Sequence, residues 1–475
     1  MTRTSDRTPG RAPGPPAAPR TAPVPLARSV ERRFLLLTAT RWLPVGLVFG
    51  LTVLLPLERG LSLAEVGVLL SVQGFVVLAL ELPTGGLADA LGRRPVLVAS
   101  GVVAVLSSTL FLVADSFWMF AVALAGQGVF RALDSGPLEA WYVDALHAAD
   151  PAAPVERGLS RAATVLGVAI AGSALAGGGL VAWAPLGAAL SALVLPYLVA
   201  TTLTAAHAVL IAVLVSEPRR GAGTPAAAGS LAGAGDAEGP GSPEGPAAGA
   251  RRPAALAALR SLGRGMREVP RSLAAGGRLL TSSPVLRALV LVEVFWSVAM
   301  IAFETFTPVS LAGMLGGESS AGAVFGPAAA AAWALFAAGS TLAGFAARRI
   351  GVAWTAIAAR ILNGAFVVVM GLVAGPLGLV AAFWLAYLAH GAGGPMHATL
   401  LHREAGPQNR AVVLSINSVV AGGAYSLGLL AMAPLADAVG TAPVFVAAGL
   451  VSTVGALLYL PALRRERRMR GGERS

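Results

Sequence analysis

Apolar runs near the ~20 residues that a helix needs to cross ~30 Å of hydrocarbon recur twelve times along this chain. They fall at about 34–57, 62–84, 95–114, 117–146, 160–183 and 187–215. After a long interruption they resume at about 286–312, 322–346, 352–374, 377–402, 411–436 and 441–462. Lipid offers no partner to a bare peptide group, so a chain that crosses it repeatedly must do so as helices. The expected fold class is an all-α polytopic membrane protein with twelve transmembrane helices. A charged share of 12%, against about 25% in soluble domains, leaves too little polar surface to solvate the 56% that is hydrophobic.

All 35 basic residues are arginine, and the net charge is +11. That balance would suit nucleic acid, but its distribution points elsewhere. With the N-terminus inside, both tails and the loops after even-numbered spans are cytoplasmic. Those segments, with the span ends that border them, hold every arginine except Arg41, Arg59, Arg131 and Arg360. This positive-inside pattern places the protein in the plasma (inner) membrane with both termini in the cytoplasm and accounts for the charge without nucleic acid. The basic tail Arg464-Arg465-Glu466-Arg467-Arg468 is expected to meet anionic lipid.

Spans 2 and 3 are joined by Gly85-Gly86-Leu87-Ala88-Asp89-Ala90-Leu91-Gly92-Arg93-Arg94. One carboxylate and two guanidiniums keep this turn at a membrane face. Its glycines allow positive φ and a close approach of helix ends. Asp89 can pair with an arginine or with a neighbouring helix end. The stretch resembles the signature loop of the major facilitator superfamily, roughly G-x-L-A-D-R-x-G-R-R, with Ala90 where the family often has a basic residue. That resemblance implies two pseudo-symmetric six-helix bundles and a cytoplasmic gate formed by Glu81, Gly85, Asp89, Gly92, Arg93 and Arg94. Asp89 and Arg93 would brace helix 11 when the cavity opens outward.

The second half of the chain repeats the first. Gly85-Gly86-Leu87-Ala88-Asp89 and Gly92 align with Gly344-Phe345-Ala346-Ala347-Arg348 and Gly351, and Gly136-Pro137 aligns with Gly394-Pro395 at nearly the same offset. Such parallel repeats build transporters of this family. Arg348 replaces the acid in the second loop, so a charge-paired latch is expected only at Asp89. The domains follow: 1–27 a disordered tail, 28–215 the first six-helix bundle, 216–284 a linker with a surface helix, 285–463 the second bundle, and 464–475 a basic tail.

Charges within spans point to the mechanism, since each costs about 2.5–3.5 kcal/mol or more at the bilayer centre. Arg131, Asp134 and Glu139 recur at helical spacing on one face of span 4, beside Trp141 and Tyr142. Glu139 has no partner one turn away, whereas Arg131 and Asp134 could pair. Glu293 and Glu304 are three turns apart on span 7, about 16 Å along the axis, and could bracket a cavity. The proton-coupling candidates are therefore Glu139, Glu293, Glu304 and Asp134. By the family's geometry helices 1, 4, 7 and 10 line the cavity, which adds Arg41, Arg131, Trp141, Tyr142, Trp296, His390 and His397 as substrate-cavity candidates and leaves Arg360 peripheral. His390 and His397 lack the neighbouring carboxylates of a metal site.

No catalytic arrangement appears. There is no cysteine nucleophile, no H-E-x-x-H, and no P-loop, since the chain lacks lysine. The chain therefore reads as a non-enzymatic secondary transporter without cofactor, working as a monomer on a small-molecule substrate with protons as the coupling partner. The first expectation is proton-coupled efflux of a drug-like or amphipathic compound. The alternatives are uptake of a metabolite or sugar by a symporter or uniporter, and a non-transporting receptor or scaffold.

Overall fold

The computed structural model describes residues 25–184, 191–216, 283–406 and 409–472, with 277–278 and 280–281. The tail before residue 25 and nearly all of the 216–284 linker, including the expected surface helix, lie outside the described residues. Span 1 comprises Pro25–Leu47 and Leu51–Glu58, followed by span 2 at Leu63–Leu91 and span 3 at Arg93–Val113. Span 4 comprises Phe117–Asp134 and Pro137–Ala149; spans 5 and 6 are Val155–Trp183 and Val194–Leu214. Span 7 runs Pro284–Met300, a π-helical stretch Ile301–Phe306, and Thr307–Leu315. Spans 8 to 11 are Glu318–Ile350, Val352–Leu372, Pro376–Glu404 and Arg410–Val439. Span 12 starts at Thr441 and continues through a short 3₁₀ turn to Gly472.

Length and apolarity alone qualify eleven of these helices as membrane spans. Span 4 is the twelfth. It differs because it is broken: Gly136 takes φ +90°, a conformation that glycine tolerates, and Pro137 opens the second segment where its missing N–H is no loss. The repeat is visible in the backbone as well. Gly92 and Gly351 take the same conformation (φ 92°, ψ 160° and φ 94°, ψ 160°), each ending one span and starting the next.

Each half packs internally, and the halves meet along two seams, span 2 on span 11 and span 5 on span 8. At the end that carries the termini and most arginines, each half keeps its own apolar core. Phe34, Leu37, Trp141, Tyr142 and Ile211 pack in the first, and Leu289, Val292, Ala356, Met396 and Tyr459 in the second. At the far end a single cluster crosses both halves, joining Leu54, Phe111 and Phe120 to Phe303, Phe306, Phe325 and Phe383. Trp118 and Trp183 stay exposed at the far ends of their spans, where membrane interfaces favour tryptophan.

Polar links reinforce the far-end closure. Glu58 accepts from Ser191 in its own half and from Ser319 across the seam, the latter at 3.0 Å. Ser62 caps span 2 in a reciprocal capping box with Glu65. Asp437, at the end of span 11, accepts from the backbone N–H groups of Leu63 and Ala64 at 3.2 and 2.6 Å. A carboxylate thus sits on the positive end of a helix in the other half. Asp437→Ala should remove about 1 kcal/mol of cap, roughly a fivefold change in the ratio of open to closed far ends. The chain has no cysteine, so spin labels on Ser116→Cys and Leu377→Cys, one in each half, would report longer distances in that variant. An unchanged distribution would show that Asp437 is not a latch.

Candidate functional site

Between the halves lies a cavity of about 910 Å³, lined by spans 1, 2, 4 and 5 of the first half and spans 7 and 11 of the second. The cross-half cluster shuts its far end; at the arginine-rich end the separate cores leave it open. Span 4 contributes Arg131, Asp134, Ser135, Leu138 and Glu139. They share the wall although the helix breaks at Gly136 between them.

Asp134 does not pair with Arg131. It takes the guanidinium Nε of Arg41 on span 1 at 2.5 Å, with side-chain exposures of 11% and 13% for the pair. Arg41 lies over Phe130 and Trp42, at 4.3 and 5.0 Å from the ring centroids. Arg41→Ala should strand a nearly buried carboxylate and destabilise the fold by about 3–5 kcal/mol. The melting temperature in detergent would fall, and Arg41→Ala/Asp134→Ala should recover most of the loss. A double variant as unstable as the single one would refute the pairing argument.

Glu304 lines the cavity from the π-helical stretch of span 7, and Tyr387 on span 10 donates to its Oε1 at 2.9 Å. Among the described residues no cation lies within 4.0 Å of it. Glu293 is placed differently: one turn before the cavity-lining Ser297 on the regular part of span 7, it is covered by His397 of span 10 and Asn417 of span 11. It is buried behind the cavity wall, with His397 Nε2 at 3.0 Å and the amide of Asn417 donating at 3.0 Å. His397 also meets Tyr459 Oη at 3.0 Å. His390 packs among Trp296, Phe303, Phe336 and Tyr387. Neither histidine touches the cavity, although Trp296, stacked on His390 at 5.3 Å, does.

Trp141 and Tyr142 are buried in the core of the first half and do not offer the cavity an aromatic surface. Tyr142 stacks on Phe34 at 4.2 Å, and Trp141 donates to the Ser216 carbonyl at 2.9 Å. Both follow the break, and they face inward from the second segment. Arg360 is buried with its guanidinium 5.8 Å from the Trp296 ring.

Of the expected gate residues, Glu81 lines the cavity. Arg93 pairs with Asp144 at the end of span 4, within its own half, and Arg94 donates to the Ala212 carbonyl at 2.8 Å. Gly92 makes the turn between spans 2 and 3. The placements of Gly85 and of the Asp89 side chain lie outside the described residues.

Several lining residues were missed in the sequence. Ser418, Ala421, Gly422, Tyr425 and Ser426 form a small and polar stripe on span 11, and Gln73 and Val77, in register with Glu81, line the cavity from span 2. Both recur at i, i+4, i+7 or i+8, a signal that a search for charges passes over. Tyr425 Oη meets Thr305 Oγ1 at 3.1 Å, which ties span 11 to the segment carrying Glu304.

A cavity between two repeat-related halves, shut at one end by a cluster that crosses them, is the architecture of a membrane transporter. Residues 34–336 match the Major Facilitator Superfamily, and the chain belongs to that family. No curated protein matches the sequence. Among solved structures, it is similar to the nucleoside transporter NupG in an aspartate-to-alanine mutant form, with 11% identity and a TM-score of 0.67, covering 91% of this chain and 99% of that one. A second NupG structure gives 11% and 0.66, with 91% and 98% covered. At that identity the likeness concerns the fold.

Proposed function

We propose that this transporter carries a small polar organic solute into the cell together with a proton, its two halves rocking about the central cavity. The positive-inside pattern supports a cytoplasmic position for the arginine-rich end, which makes this structure the inward-open state. The observation that carries the reading is the cavity wall. Besides its charges it offers the hydroxyls of Ser418 and Tyr425 and the amide of Gln73, while the hydroxyls of Thr38, Ser297 and Ser426 are buried and bonded to backbone carbonyls. A site rich in donors and acceptors rejects a solute that would leave them unpaired. This favours metabolite uptake over export of an amphipathic drug, and the similarity to nucleoside transporters agrees with it at the level of fold.

Glu304 is the proposed proton carrier. Its charge has no compensating cation, whereas Asp134 and Glu293 are held by Arg41 and by His397 with Asn417. Glu139 is exposed at the open end.

The direct test is a reversible lock. Glu58→Cys and Ser319→Cys replace side chains already in contact across the far-end seam. Solute flux into proteoliposomes, measured over a metabolite panel, should stop on oxidation of this pair and return on reduction. Flux indifferent to the lock would exclude alternating access. Outward pumping of cationic drugs in place of uptake would restore the export reading.

A further inference from the structure

Arg131 lines the cavity from the first half with no ion-pair partner among the described residues. Measured from the far ends of their spans at about 1.5 Å per residue, Glu304 lies at ~16 Å, Arg131 at ~21 Å, Glu81 at ~27 Å and Glu139 at ~33 Å. Asp134 is taken by Arg41. Among the described residues no acid lies within 4.0 Å of Arg131, and it makes no hydrogen bond, although Arg41, which repels it, and Tyr425 and Glu81 are near enough to act on it electrostatically. Glu81 and Glu139 stand between it and the open end, Glu139 in contact with solvent. Trp42 and Trp296 bring flat apolar surface to the same space.

A guanidinium presents a planar fork of donors that matches carboxylate or phosphate oxygens in pairs. Within a membrane such a group is normally paired with another residue or lines a pathway for substrate. Here no described residue forms an ion pair with it, the side chain is exposed to the cavity, and Tyr425 supplies a hydroxyl from the opposite half. We infer that the transported solute is an organic anion, its carboxylate or phosphate held by Arg131 and its flat apolar part placed between Trp42 and Trp296. An anion seated there would be contacted by both halves through Arg131 and Tyr425. It would also arrive beside Glu304, where the proton carried by that residue keeps the loaded site from gaining negative charge. The inference rests on the transporter reading and names its substrate class.

The test uses four probes of one size that differ in charge: benzoate, phenyl phosphate, benzyl alcohol and benzylamine. Quenching of tryptophan fluorescence reads binding, and proteoliposome flux reads transport. The wild-type protein should bind benzoate or phenyl phosphate at least tenfold better than benzyl alcohol and exclude benzylamine; the preferred anion tells carboxylate from phosphate. Arg131→Gln should erase that preference with an unchanged melting temperature, since no partner is lost, and Arg131→Lys should restore part of it. Equal binding of the alcohol, preference for the amine, no binding of either anion, or an anion preference that survives Arg131→Gln would each overturn the assignment. Flux of benzylamine or benzyl alcohol that stops under the far-end lock would overturn it while leaving the transporter reading intact. Anion flux that ignores the lock would sink the transporter reading itself.

Discussion

Replacing Glu304 by glutamine is expected to leave the protein able to exchange its solute but unable to accumulate it against a pH gradient. Glutamine has the size of the acid, and its carbonyl can still accept from Tyr387, which donates to Glu304 at 2.9 Å. The variant should therefore fold, and the cavity should keep its shape. What it loses is the exchangeable proton. A gradient of two pH units can drive roughly 100-fold accumulation of a symported solute, since each tenfold step corresponds to about 1.4 kcal/mol. In Glu304→Gln that ratio should fall to simple equilibration, while counterflow, which moves no net proton, persists within severalfold. The measurement is uptake into proteoliposomes with an acidic exterior, compared with exchange at uniform pH. Accumulation that survives the change would remove Glu304 from the coupling step and return attention to Glu139.

The second large effect is predicted at Gly326, where the halves meet backbone against backbone. A Cβ there would stand 2.5 Å from the Ala174 carbonyl oxygen and 2.6 Å from the Gly178 Cα, both backbone atoms of span 5. Backbone cannot give way as a side-chain tip can, so Gly326→Val has to part the spans 5 and 8. Overpacking of this kind costs typically 1–3 kcal/mol. In the proposed rocking motion this contact parts as the far end opens, so the penalty should fall on one conformation and not on the fold. The ratio of closed to open far ends should drop by roughly 5- to 150-fold for that range, read as longer distances between labels at Ser116→Cys and Leu377→Cys, with little change in melting temperature. Gly391 provides the contrast. Its Cβ would meet the Phe336 carbonyl oxygen at 2.0 Å within the second half, so Gly391→Val should lower the melting temperature without favouring either conformation. If both variants lost stability alike, the span 5–8 seam would not be a moving one.

Much of this architecture was legible beforehand because membrane insertion is governed by one-dimensional quantities. Run length and apolarity set the spans, and arginine placement set the expected orientation. The offset between Gly92 and Gly351 exposed a repeat that the backbone angles repeat in turn. The face carrying Arg131, Asp134 and Glu139 was readable from helical spacing, and all three line the cavity.

Reading stopped where regular helices stop. The break after Asp134 and the π turn at Ile301–Phe306 shift the residues that follow them. Trp141 and Tyr142 turn into the core, and Glu293, although in register with the cavity-lining Ser297 and Met300, is covered by His397 and Asn417 from neighbouring spans. Partner choice was equally hidden. Asp134 has an arginine one turn away on its own helix, yet binds Arg41, 93 residues earlier in the chain. Arg93 finds Asp144 within its own half.

The sequence by itself determined how many times the chain crosses the membrane, that its halves are copies, and which few charges must be kept from lipid. These follow from transfer free energies that act on each residue wherever it finally packs. Only the tertiary structure decided which of those charges cancel one another and which are left facing the cavity. Compensation depends on distances of a few ångströms between helices remote in sequence. Arg131 and Glu304, left without ion-pair partners on opposite sides of one cavity, are the product of that second level.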